Sequence, residues 1–210
     1  MYVPPHFAET NPNTLHAFIE RHSFGLLVSQ VEGVPFATHL PFLLDREEGP
    51  HGTLVGHMAR ANPQCRELAG QTALAAFSGP HAYISPSWYE AENVVPTWNY
   101  AALIDGRDAV LEIVERCVAV YEAALPRPWA LDSASTSVDR LLNQIIGFRL
   151  RIDRLEGKWK MSQNHPVGRR EKVIQALEAQ GGEDAVTVAQ MVRATLTPGP
   201  TSDRLTTPQT

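Results

Sequence analysis

A chain of 210 residues with 43% hydrophobic side chains can bury a core without disulfides or metal, as one good-sized domain or one domain with a small appendage. Its 18 Lys plus Arg against 23 Asp plus Glu give a net charge of -5, whereas a dedicated nucleic-acid binder is basic over its contact face. Cys65 and Cys117 stand far apart in no metal or redox spacing, and no 18-residue apolar run or charged-then-apolar leader is present, so the expectation is a reducing, cytoplasmic setting without membrane insertion.

Asn11-Pro12 and Asn62-Pro63 each offer an N-cap followed by a proline suited to the first helical position. Apolar spacing follows both, through Leu15, Phe18 and Ile19 and then Cys65, Leu68 and Ala69, so both read as short helices. Strand-like runs lie around them: FGLLVSQ from Phe24, VPFATHLPFLL from Val34, GTLVGHMA from Gly52, TALAAFSGPHAYIS from Thr72 and VVPTWNYAALI from Val94. Such close spacing, with no long helix between most of the runs, predicts an antiparallel sheet or barrel flanked by helices, a mainly-β α+β class. A longer helix is expected from about Asp108, with Leu111, Val114, Val118, Tyr121 and Leu125 along its core-facing stripe.

From Ile146 to Ile152 the apolar residues occupy even positions, while Leu155, Trp159 and Met161 occupy odd ones. Alternate strand side chains point to opposite faces, so a bulge or tight turn must absorb the flip, and Gly157 is suited to either. Beyond it, in GKWKMSQN, Lys158, Lys160 and Ser162 are expected on one face, with the amides of Gln163 and Asn164 following. That donor set suits an anionic ligand; a solvated edge strand guarded by lysines would give the same pattern. Residues 149 to 172 hold eight cations against three carboxylates, +5 in a chain of -5, which favours a phosphate-bearing partner.

Other polar groups interrupt apolar runs. Thr38-His39 breaks FATHLPF, and in VPTWNY the side chains of Thr97 and Asn99 share one face while Trp98 and Tyr100 share the other. GPHAYISPSWY sets three aromatics beside His81, Ser85 and Ser87 around two prolines, a stiff aromatic wall suited to a flat heterocycle, or a packed loop whose hydroxyls cap backbone groups.

Six blocks, MYVPPHF, THLPF, GHMARANPQ, GPHAYISPSWY, VPTWNY and GKWKMSQN, resemble in order the signature blocks of the PaiB-type FMN-binding negative transcriptional regulators. The resemblance spans roughly residues 1 to 195 and implies a flavin-binding split β-barrel related to pyridoxamine phosphate oxidases, a homodimer with FMN between subunits, and a regulatory role over sporulation and protease genes. FMN would need cations for its phosphate, amides and hydroxyls for its ribityl chain, and walls for its ring. The resemblance and the parity together put the phosphate near Lys158, Lys160, Ser162 and Arg60, and the ring and ribityl near Thr38, His39, Ser85, Trp98 and Asn99, with Gln163 and Asn164 as amide donors.

Two further helices, about Arg169 to Gln180 and Asp184 to Leu196, are joined by Gly181-Gly182. A DNA-reading helix pair would have this outline, but Glu183-Asp184 places carboxylates where phosphates would approach, so DNA is a weakly supported partner. The expected organisation is a barrel domain over 1-165, a helical segment over 166-196 packed on the barrel or the dimer partner, and a Pro/Thr-rich disordered tail over 197-210. A flavin-binding regulator is the leading reading. An FMN-dependent oxidoreductase is the alternative, and a haem-handling barrel the third; among standard catalytic signatures, G-x-S-x-G, H-E-x-x-H, Walker A and G-x-G-x-x-G are all missing.

Overall fold

Eight strands make up the sheet of the computed structural model, which describes residues 1–90, 95–105 and 144–196. In chain order the elements are β1 (Ala8–Glu9), α1 (Pro12–Arg21), β2 (Phe24–Val31), β3 (Val34–Asp45), β4 (Thr53–Ala59), α2 (Gln64–Glu67), β5 (Leu74–Ile84), β6 (Thr97–Asp105), β7 (Ile145–Arg151), β8 (Glu156–Lys160), α3 (Val167–Gln180) and α4 (Glu183–Ala194). Single 3-10 turns lie at Pro5–Phe7 and Pro86–Tyr89. The strand order is β1-β8-β6-β5-β2-β3-β4-β7, and β1·β8, β2·β3, β2·β5, β3·β4 and β4·β7 all pair antiparallel. The mainly-β class with flanking helices is therefore the observed one. The helix expected from Asp108 and the tail after Thr197 lie outside the described residues.

Two compact units divide the chain. The first comprises Met1–Val3, Ala8–Gly79 and the described part of Ala102–Lys158. In its core the Phe42 ring meets Phe77 and Phe148 edge-on, with centroids 5.4 and 6.0 Å apart. Gly56 exists to admit one of these rings: a Cβ there would sit 2.7 Å from Phe148 Cζ. The α1 N-cap is as expected, with Asn11 Oδ1 accepting from the Asn13 and Thr14 amides and Leu15, Phe18 and Ile19 buried. The second helix is a single turn whose inward residues are Gln64 and Leu68, not Cys65. Its N-cap position falls on Pro63, one residue after the expected Asn62, whose Oδ1 accepts from Gln64 N at 3.0 Å.

The parity flip is real, but Gly157 does not make it. Phe148, Leu150 and Ile152 are buried, β7 ends at Arg151, and residues 152–155 absorb the extra residue before β8 begins. Gly157 is an ordinary member of β8, paired with Glu9.

The second unit comprises Pro4–Phe7, the described part of Pro80–Ala101, and the chain from Trp159. Its helices α3 and α4 pack on each other, and α3 also packs on the Pro86–Tyr89 turn. Val173, Leu177, Val188 and Val192 are fully buried there, which uses up the apolar stripe of both helices. Gly181 and Gly182, at φ 72° and 86°, turn the chain through left-handed backbone that a side chain would strain.

Candidate functional site

Strand β8 runs out at Lys160, and the residues after it fold into a hook. Ser162 adopts φ 60°, left-handed backbone that non-glycine residues seldom occupy and that a surrounding network must hold in place. The network is present. Ser162 is 2% exposed, its hydroxyl receives a bond from Asn99 Nδ2 at 3.2 Å, and it lies 3.3 Å from both Asn99 Oδ1 and the Tyr89 hydroxyl. Gln163 closes the turn: its Oε1 accepts from Met161 N at 2.7 Å and its Nε2 donates to Trp159 O at 2.6 Å. Sequence parity expected a continuing strand with Ser162 open beside Lys160; the strand ends at Lys160 and the hook buries Ser162, which still lines one cavity with Lys160.

Above this hook, within the second unit, lies a cavity of about 320 Å³. Lys160 and Arg169 supply its cations, Thr97, Ser162 and Asn164 its hydroxyls and amide, and His6 and His165 its imidazoles, with Phe7 and Val95 as apolar wall. Among the described residues, no carboxylate lines it. Lys160 Nζ is held by Trp98 O at 2.7 Å and by the Thr97 hydroxyl, and lies 5.8 Å from the Phe7 ring centroid. The His165 ring stacks on Tyr89 at 4.4 Å. Burial, and then the positive charges of Arg169 and Lys160, hold the His165 imidazole below its ordinary value.

Trp98 points away from this cavity. Strand alternation sends Thr97 and Asn99 toward the hook, while the Trp98 ring lies beside His81 and Tyr83, with centroids 6.0 and 5.9 Å away. Ser85 is occupied with capping: its hydroxyl accepts from Ser87 N at 3.3 Å and lies 2.7 Å from Ser87 Oγ.

In the first unit, Thr38 belongs to a closed polar cluster. Its hydroxyl donates to Gln64 Oε1 at 2.7 Å and accepts from Asn62 Nδ2 at 3.0 Å, while Gln64 Nε2 donates to Ser29 Oγ at 2.9 Å. THLPF and GHMARANPQ are thus joined by hydrogen bonds. His39 is exposed and stacks against Phe24 at 5.9 Å, Arg60 donates to Ile145 O at 3.0 Å, and Lys158 lies 5.8 Å from the Tyr2 ring. His57 of the same motif has a buried Nδ1 with no hydrogen-bond partner among the described residues, and burial pushes its imidazole below the ordinary value.

A family model described as "Putative FMN-binding domain" matches residues 1–154. Over 201 residues the chain is 35% identical to the protease synthase and sporulation protein PAI 2 of Bacillus subtilis (strain 168), covering 91% of this chain and 96% of that one. The chain belongs to the PaiB-type family of FMN-binding proteins. Among solved structures, this FMN-binding protein is similar in fold to the flavocytochrome Anf3 from Azotobacter vinelandii, with a TM-score of 0.56 at 18% identity, covering 75% of this chain and 72% of that one. It is likewise similar to an FAD and heme binding protein from Mycobacterium smegmatis, with a TM-score of 0.52 at 17% identity, covering 84% and 80%. The fold is the antiparallel split barrel of flavin-binding proteins.

The residues present fit the cofactor. A dianionic phosphate asks for cations and hydrogen-bond donors with no carboxylate nearby, and the cavity over the hook supplies that set. The +5 of residues 149 to 172 is a poorer guide, because carboxylates from outside the stretch meet part of it: Arg149 pairs with Asp45 and Glu48, and Lys172 with Glu90. Arg151 and Arg154 pair with Asp153 and Glu156, which the +5 already subtracts. Among the described residues, Lys160 and Arg169 are the Lys and Arg side chains that reach the cavity. Sequence reasoning left Arg169, Thr97, His165 and His6 out of the site. Thr97 was signalled by sharing a face with Asn99, and Arg169 by its place in the basic stretch; the hook that brings His165 back over Tyr89 leaves no periodic signal.

Proposed function

We propose that this FMN-binding protein holds the phosphate of FMN in the cavity above the GKWKMSQN hook, and acts as a flavin-dependent, homodimeric, cytoplasmic regulator of gene expression. The observation that carries the site is the cavity's lining: Lys160 and Arg169 beside the donors of Thr97, Ser162 and Asn164, with no carboxylate among the described residues. When bound, FMN supplies a redox-active, flat ring; the chain's own residues bind, orient and screen it. Lys160, anchored by Trp98 O and Thr97, offers the phosphate a cation whose position is already fixed, which lowers the ordering cost of binding. Ser162, Asn99 and Tyr89 hold the floor beneath it.

The regulatory part rests on the relative PAI 2, whose name ties it to protease synthesis and sporulation. Homodimerisation is supported by large apolar side chains left exposed in the first unit: Phe24 at 68%, Val34 at 63% and Leu74 at 40%. A cytoplasmic setting agrees with the half-buried, unbridged Cys65, and no described helix is long and apolar enough to cross a membrane. Direct DNA reading by α4 is disfavoured by Glu183 and Asp184 in its first turn.

The test is a titration of purified protein with FMN, followed by light scattering and by expression profiling of strains carrying or lacking the chain. Flavin absorption that co-migrates with a particle of twice the 23.2 kDa chain mass supports the reading, as does derepression of a defined gene set on deletion. A monomer without flavin, or an unchanged expression profile, overturns it.

A further inference from the structure

The face of β6 that carries Trp98 opens on a second cavity of about 550 Å³ within the second unit, which the flavin-phosphate reading does not use. Its walls are of two kinds. On one side stand the rings of Trp98 and Tyr83, 53% and 45% exposed and set edge-to-face at 70°. Large aromatics are seldom left so open without a partner. On the other side the α3–α4 junction brings the bare backbone of Gly181 and Gly182, then Glu183 and Asp184. A Cβ on either glycine would meet no atom within 4 Å, so the space beside the junction is open. His81 lies between the two walls, its Nδ1 3.8 Å from Asp184 Oδ2. Among the described residues, neither Lys nor Arg lines the cavity.

We propose that this cavity binds an organic cation, an alkylammonium or guanidinium group, between the Trp98 and Tyr83 rings and the carboxylates of Glu183 and Asp184. Each wall selects for that chemistry. The faces of indole and phenol rings are electron-rich and attract a weakly hydrated cation, whereas a strongly hydrated metal ion gains little from them. The two carboxylates repel an anion and balance a positive charge. The open space beside the glycine junction leaves room for the cation's alkyl part. The site stands apart from the flavin reading, because it uses a different cavity and the opposite face of β6.

The experiment titrates the full-length protein, with and without FMN, with choline and with its neutral isostere 3,3-dimethylbutan-1-ol, following the tryptophan indole N–H resonances. The expected result is saturable choline binding with the isostere at least about tenfold weaker. Glu183→Gln with Asp184→Asn should weaken choline about tenfold while leaving FMN affinity unchanged, and Trp98→Leu should weaken it by a similar factor. The two carboxamide changes are solvent-exposed, so they report even if Trp98→Leu perturbs folding. Capped lysine and arginine amides identify the source: tighter binding than choline means a basic side chain of a partner, looser binding a free small cation. Equal affinity for choline and its isostere, no saturation below about 50 mM choline, or competition between choline and FMN would overturn the proposal.

Discussion

The first unit's polar cluster and the second unit's hook are built from similar groups and end in opposite conditions. Around Gln64, which is fully buried, the donors and acceptors of Ser29, Thr38 and Asn62 satisfy one another. Around Ser162 the same kinds of group, Asn99 and Tyr89, hold a strained turn under a cavity whose rim carries Lys160 and Arg169. A closed network fixes a fold, because every group in it is spoken for. A strained residue under a cation-lined opening marks a place where something else is meant to bind. The contrast separates two sets of candidate residues that the sequence placed on one ligand.

Breaking the closed cluster should give the largest effect on stability. Gln64→Ala leaves Ser29 and Thr38 with unpaired buried groups and should cost about 3 kcal/mol in a urea melt, with the folded fraction's FMN affinity changed by less than about threefold. Thr38→Val removes one donor and should cost about 1 to 2 kcal/mol, again without a flavin-specific loss. If Thr38→Val instead abolished FMN binding in a stable protein, the cluster would be part of the ligand site. Ser162→Ala removes a hydroxyl but keeps the left-handed backbone, and should cost about 1 kcal/mol of stability.

The smallest effect concerns pH. Burial lowers the imidazole values of both His57 and His165 from the ordinary 6.5, so the unfolded chain takes up protons more readily than the folded one. Stability is then fully present above pH 6.5 and declines as pH falls through the lowered values. Replacing both histidines by Asn should flatten that slope in thermal melts taken between about pH 7 and pH 5; an unchanged slope would assign the acid sensitivity to other groups.

Much of the fold was legible in the sequence, because period-two runs and proline-led caps are local signals. All seven strands longer than two residues, and helices α1, α3 and α4, fall where the patterns put them. The site was half legible. Lys160, Ser162 and Asn164 do line one cavity, but Trp98 is turned to another and Thr38 is bound to Gln64. Parity reasoning holds only while a strand lasts, and this one ends at Lys160: it foresaw Ser162 meeting Lys160 but not the left-handed turn that buries the hydroxyl. Net charge failed for a different reason: it counts Arg149 and Lys172 as available, although each has a carboxylate partner from outside the stretch, Asp45 and Glu48 for the first and Glu90 for the second.

The central claim is that Lys160 and Arg169 hold the FMN phosphate, and comparing two flavins tests it most directly. FMN and riboflavin differ only by that phosphate. In fluorescence titrations of wild type and of the Lys160→Ala, Arg169→Ala double variant, FMN affinity should fall by roughly 30-fold or more while riboflavin affinity changes by less than about threefold. Equal losses for the two flavins, or none for either, would contradict the account.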